Sequence, residues 1–244
     1  MAVLNQHSQY VRSIDLKREH ITSYRQFPMN LPVIRNFQEV SLHPNVTYII
    51  GENGRGKSTL LEGIAIALGF NPEGGTLNFN FSTYNSHSNL DEYLKLVKGG
   101  RRPKDSFFFR AETFYNVATN IEEIGAIHSY GGTSLHKQSH GESFFAAFTE
   151  RFQGEGLYIL DEPEAALSPL RQMSMLARIH DLVQQGSQFI ISTHSPILMA
   201  FPRAKILELT EEGMEETTLE ATSHYSIMKQ FFEDKDRLFH HLFQ

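Results

Sequence analysis

The sequence predicts an α/β fold with a mostly parallel central sheet covered by helices, antiparallel strands ahead of it and a short helical segment set into its second half. Three observations carry this expectation. Short apolar runs at 46–50, 106–110, 157–160 and 188–192 have the length and the β-branched or aromatic content of strands buried on both faces. Segments with helical apolar spacing alternate with these runs, which is the pattern of a parallel sheet with helices on its faces. A glycine-rich loop at 51–57 joins the first run directly to a helical segment.

Taken in order, the chain opens on a segment, 10–21, whose alternation predicts a first strand ending in a turn, and 33–42 predicts a second, closed by Pro44 and Asn45. Strand 46–50, the glycine loop and a helix over 58–68 follow without interruption. The stretch after Gly69 is rich in Asn, Ser, Gly and Phe, and predicts irregular connections with one short strand around 77–81. Beyond it come strand 106–110, a helix over 113–124 and a polar connection over 125–138. A helix over 141–152 then places Phe144, Phe145, Phe148 and Phe152 at core spacings. Strand 157–160, a helix over 169–185 stopped by Gly186, and strand 188–192 complete the alternation. Residues 206–209 and 215–219 predict a hairpin around Gly213. Ile227, Phe231, Leu238, Leu242 and Phe243 predict an amphipathic terminal helix packed on the main body.

Bulk properties narrow the function classes. A chain of 244 residues, 40% hydrophobic and 20% charged, is long enough for one large core, so a single domain over 1–244 is expected. Its formal charge of -6 gives no global attraction to a phosphate backbone, so DNA is not implied by charge. The absence of Cys excludes disulfides and thiolate metal sites and suits a reducing cytoplasm, the expected location. No secretory leader and no apolar run of bilayer-spanning length is visible, so no membrane span of its own is expected.

The loop Gly51, Glu52, Asn53, Gly54, Arg55, Gly56, Lys57, Ser58 satisfies the phosphate-binding pattern, in which glycines let backbone N–H groups curl around phosphate oxygens. Asn53, Gly54, Arg55, Gly56, Lys57, Ser58 and Thr59 are therefore the candidate ATP-binding residues. Lys57 is expected on the β- and γ-phosphates and Ser58 on Mg²⁺, with the following helix adding the positive end of its dipole. The run at 157–160 delivers Asp161 and Glu162 at the C-terminal edge of a strand, where open α/β sheets bind ligands. Asp161 is a second candidate for Mg²⁺ and Glu162 a candidate general base.

Further segments give a resemblance to the ABC ATPases. Ser139, His140, Gly141, Glu142 and Ser143 are similar to that family's signature, normally Ser-Gly-Gly-Gln, ahead of a helix and about twenty residues before the carboxylate strand. Residues 165–168 look like the loop after the catalytic glutamate, and His194 looks like the family's switch histidine. The resemblance implies that Ser139, Gly141 and Glu142 face an ATP held by a second copy, so that two chains pair head to tail. Read by itself, the segment 139–143 is equally a capping box, and a lone histidine at a strand end, such as His194, is usually structural; the neighbouring motifs favour a γ-phosphate contact for it. His140 and Glu142 depart from the usual Gly and Gln, and a carboxylate near phosphate is repulsive unless turned away. Glu112 stands where the family's glutamine loop falls and is a candidate metal ligand; an exposed helix-start glutamate is the alternative. Tyr24, with Phe27 as an alternative, is placed for adenine stacking; a core or surface aromatic is the other reading.

The closest likeness is to small stand-alone ATPases of the RecF and SMC-like group, with a reduced helical signature subdomain over about 85–150 and a C-terminal hairpin and helix over 206–244. It implies an ATP-hydrolysing conformational switch, a homodimer closed through ATP, acting on a protein partner. The ATPase subunit of a membrane transporter and a DNA-repair or phage-defence ATPase are the other readings.

Overall fold

A computed structural model describes residues 3–77, 88–130, 132–137 and 140–243. The elements run β1 (Val11–Leu16), α1 (Pro32–Arg35), β2 (Val40–Ser41), β3 (Val46–Ile50), α2 (Lys57–Leu68), α3 (Leu90–Tyr93), β4 (Leu94–Lys98) and β5 (Asp105–Arg110). They continue with α4 (Phe114–Glu123), α5 (His140–Glu150), β6 (Gly156–Asp161), α6 (Pro169–Gln184), β7 (Gln188–Ser192), α7 (Pro196–Met199), β8 (Lys205–Leu209), β9 (Met214–Thr217), α8 (Ser223–Glu233) and α9 (Lys235–Leu242).

Two sheets form. The larger has the order β5-β6-β7-β3-β8-β9. Its first five strands are mutually parallel, and β9 closes the edge as the antiparallel arm of a hairpin with β8. The smaller is antiparallel, β2-β1-β4. Strict alternation divides each central strand between two cores. Phe107, Phe109, Tyr158, Leu160, Phe189, Ile191, Val46 and Tyr48 point into a core shared with Val117 and Ile121 of α4, Phe144 and Phe148 of α5 and Met175 and Ile179 of α6. Phe108, Ile159, Ile190 and Ile49 point the other way, onto Leu60, Leu61 and Ile64 of α2 and the inward face of the small sheet, Val11, Ile14 and Leu16. Burial on both faces is why these strands read as continuous apolar runs. Phe148 lies between Phe144 and Phe152, with ring centroids 6.0 and 5.0 Å away.

Three expectations are corrected. The segment 33–42 is not one strand: Pro32 sits in the first turn of α1, where its fixed φ favours a helix, and only Val40 and Ser41 pair with β1. The antiparallel sheet gains β4, whose alternation of Leu94 and Leu96 with Lys95 is a strand signal that the sequence reading passed over. The terminal helix breaks in two at Asp234, whose backbone leaves the helical region and whose side chain caps α9 by accepting the Arg237 N–H at 3.0 Å. Neither α8 nor α9 contains a buried residue; Phe231, Phe239 and Phe243 stack on one another instead of on the main core. The short strand expected around 77–81 falls almost wholly outside the described residues.

Candidate nucleotide site

β3, β6 and β7 end side by side, so the parallel register fixes what meets at the sheet's C-terminal edge. Asp161 pairs with Ser192 across β6 and β7, and with Arg110 across β5 and β6. The loop after β3 turns back over this edge and enters α2. Gly54 and Gly56 have φ of 78° and 94°, a region closed to most side chains, and a Cβ on Gly54 would meet nothing within 4 Å. The loop is thus an open backbone cradle at a helix N-terminus, suited to an anion.

Lys57 is buried beneath that cradle, with Nζ donating to the carbonyls of Gly51 at 2.8 Å and Glu52 at 3.2 Å. Those carbonyls stand in for the phosphate oxygens such a lysine would hold. Burial lowers the Lys57 ammonium from its ordinary value, while Glu162, Asp161, Glu52 and Glu164 pull it back up. Ser58 Oγ donates to Asp161 Oδ1 at 3.2 Å, and Ser192 Oγ donates to the same oxygen at 2.5 Å. Burial is the largest influence on Asp161 and pushes its carboxyl up, against the downward pull of Ser192, Arg110 and Ser58. A buried carboxylate under-compensated in this way, with a serine hydroxyl on one oxygen, is a donor set fitted to a hard cation such as Mg²⁺. The Arg55 side chain turns away to Glu211 at 3.0 Å, so among its groups only the backbone lines the cradle.

Glu162 follows in the left-handed region, φ 49°, a conformation costing a non-glycine residue about 1 kcal/mol or more. Its N–H donates to Ser192 O and Oγ at 3.2 and 3.1 Å, which holds the sharp turn and leaves the carboxylate partly exposed above the edge. His194 Nε2 faces Glu162 Oε1 at 3.5 Å. The His194 N–H donates to Glu164 Oε1 at 2.6 Å, and its Nδ1 lies 3.1 Å from Nε2 of His224, at the start of α8. Burial lowers the His194 imidazole below its ordinary value, helped by Lys57 and His224.

The structure therefore brings together Lys57, Ser58, Asp161, Glu162 and His194. Glu112 is 81% exposed, with its carboxylate 3.7 Å from Arg110 Nη2. Arg110 itself also bonds Glu62 at 2.5 Å and lies 3.9 Å from Asp161 Oδ2. Tyr24 accepts from Arg18 at 3.4 Å and packs against the second core, while Leu31 and Val33, further along the same segment, abut the Gly56 position. Phe27 is largely exposed. Gly141 opens α5 against the loop after β6: a Cβ there would lie 2.2 Å from Ala166 O. Glu142 is exposed, and Ser139 lies outside the described residues. Sequence reasoning missed Arg110, Ser192, Glu164 and His224. Arg110 and Ser192 were findable, because parallel strands of matched length put their last residues beside Asp161.

A family model described as an AAA domain matches residues 19–145, and a second AAA-domain model, whose description includes the words Type IV TA system, matches 128–200. The chain belongs to the AAA-domain family of P-loop ATPases. Relatives include the hemin import ATP-binding protein HmuV of Methylobacillus flagellatus, 27% identical over 49% of this chain and 47% of that protein. The cobalt import ATP-binding protein CbiO of Salmonella typhimurium is 27% identical over 68% of this chain and 67% of its own length. The chain spans about half of HmuV and, at 24%, about a quarter of ABC transporter G family member STR2 of Medicago truncatula. Solved structures similar to the chain include the SMC head domain from Thermotoga maritima, 14% identical over 86% of this chain and 99% of that one, TM-score 0.44. A nucleotide-free ATP-binding cassette from an ABC transporter is 16% identical over 74% of this chain and 83% of that one, TM-score 0.42. Among the described residues no helix is long and apolar enough to cross a membrane.

Proposed function

We propose that the whole chain is one ABC-type ATPase domain that binds ATP with Mg²⁺ at the edge of β3, β6 and β7 and hydrolyses it as a head-to-tail homodimer. The observation that carries this reading is the convergence of Lys57, Ser58, Asp161, Glu162 and His194 from three separate loops onto one open cradle. Backbone N–H groups of 53–59 and Lys57 hold the phosphates, and Ser58 and Asp161 hold the metal, which when bound neutralises charge on the phosphates. Glu162, exposed and held at a fixed turn, accepts the proton of the attacking water. His194 directs Nε2 to the γ-phosphate. Glu112 serves the metal through a bound water, and Tyr24 stacks on the adenine.

The signature Ser139, Gly141 and Glu142 completes the partner's site. Gly141 seats on Ala166, so the signature lies against the loop that follows Glu162. Closure of the pair acts on a protein partner.

Light scattering on a sizing column tests the reading with Glu162→Gln, which retains ATP but hardly turns it over. A monomer without nucleotide that doubles its mass with ATP and Mg²⁺ is the expected result; an unchanged mass overturns the homodimer. The import roles in the names of HmuV and CbiO favour a second reading, a transporter subunit, and recovery of a multi-span membrane protein with the tagged chain would select it.

A further inference from the structure

We infer that His224 is a positioning residue that fixes His194 in the tautomer carrying its proton on Nε2. The two rings meet at 3.1 Å, Nδ1 of His194 against Nε2 of His224. One proton sits between them, and either ring can supply it. The far nitrogens decide which. His194 Nε2 and His224 Nδ1 are both buried and have no hydrogen-bond partner.

If His194 donated, its Nε2 would be a lone pair turned toward the Glu162 carboxylate 3.5 Å away, and His224 would carry a buried N–H on Nδ1 with no acceptor. If His224 donates, its Nδ1 keeps only a lone pair, and the His194 Nε2–H points at Glu162. A buried donor without an acceptor costs more than an acceptor without a donor, and a lone pair facing a carboxylate is repulsive. Both ends select the second arrangement. The hydrogen bond at one ring nitrogen sets the role of the other. His224 therefore makes His194 Nε2 a donor, the form that can bond a phosphate oxygen.

Thr222 anchors the helix start that carries His224. Thr222 is fully buried, caps α8 by accepting the Tyr225 N–H at 3.2 Å, and donates to Leu219 O at 2.7 Å. The first turn of α8 is thus anchored, although the rest of the helix is exposed.

The tautomer assignment stands without nucleotide; only its effect on turnover rests on the function proposed above. The test is long-range ¹H–¹⁵N NMR of the nucleotide-free chain, with His194→Gln used to assign the ring. Wild type is expected to show a protonated Nε2 and an unprotonated, hydrogen-bonded Nδ1 on His194. His224→Phe should return His194 to a tautomer mixture, and His224→Gln, whose amide can donate to Nδ1, should restore the single form. In single-turnover ATP hydrolysis His224→Phe should lose about 10- to 100-fold in rate, the scale seen when the partner that orients a metal-bound histidine is removed. Affinity for a fluorescent ATP analogue should change less than about twofold, and the Gln variant should recover most of the rate. A wild-type His194 protonated on Nδ1, or a tautomer unmoved by His224→Phe, overturns the inference. A correct tautomer in a chain that hydrolyses no ATP would instead remove the proposed function and leave the inference intact.

Discussion

Asp161→Asn is expected to raise the stability of the nucleotide-free chain while weakening its response to MgATP. Asn keeps Oδ1, which accepts from Ser192 at 2.5 Å and Ser58 at 3.2 Å. What it loses is the charge and the acceptor at Oδ2, which becomes an NH₂ facing Arg110 Nε 3.9 Å off, while Arg110 keeps its shorter bond to Glu62. Because burial raises the Asp161 carboxyl above its ordinary value of 3.8 despite these partners, the site as a whole disfavours the ionised form. Removing that charge relieves about 1 kcal/mol, at the low end of the cost of burying an under-compensated polar group. For a chain of this size that is a Tm increase of about 2–4 °C.

The pH dependence follows from the direction of the shift. A raised folded-state value means the folded chain holds this proton more tightly, so the Asp161 contribution to stability falls as pH rises from 3.8 through the folded value, then stays flat. Wild type and variant should therefore melt alike where both are neutral and diverge above. Differential scanning calorimetry of both proteins at two pH values, with and without MgATP, reads the pH divergence and the MgATP response. At 100 times its dissociation constant MgATP should stabilise wild type by about 2.7 kcal/mol, and the variant by visibly less. A nucleotide-free variant that melts below wild type at neutral pH would refute the reasoning, because Asp161 would then be a net stabilising group in the empty fold.

Three further outcomes are expected. Lys57→Ala should weaken binding of a fluorescent ATP analogue by about 100-fold or more, the scale of deleting one partner of a buried charged contact; titration at constant Mg²⁺ reads it. Phe148→Ala empties the centre of the aromatic row Phe144, Phe148 and Phe152 and should cost about 3–5 kcal/mol in a urea melt. Gly141→Ala drives a Cβ toward Ala166 O, 2.2 Å away, and should cost about 1–3 kcal/mol in the same melt, with wild-type stability refuting the close seat.

Residues whose role is set by their own neighbours were legible in the chain. The cradle at 51–58 announces itself through glycine spacing between a strand and a helix, and the four central strands through apolar runs, because burial on both faces leaves no room for polar alternation. Asp161 and Glu162 were legible because strand ends in a parallel sheet share one edge. Where local and distant forces compete, the sequence ran out. Pro32 turned an apparent strand into a helix start, and β4 finds its place only by pairing along residues 11–16 of β1. The division of phenylalanines between two cores and the seat of Gly141 on Ala166 arise between segments tens of residues apart. His224 is the sharpest case: nothing in its own neighbourhood marks it, and it acquires a role only because the first turn of α8 is anchored where β7 ends. Motif chemistry depends on short-range spacing and so can be read from order alone; the hydrogen-bond partners of those motifs depend on packing, which only the tertiary structure decides.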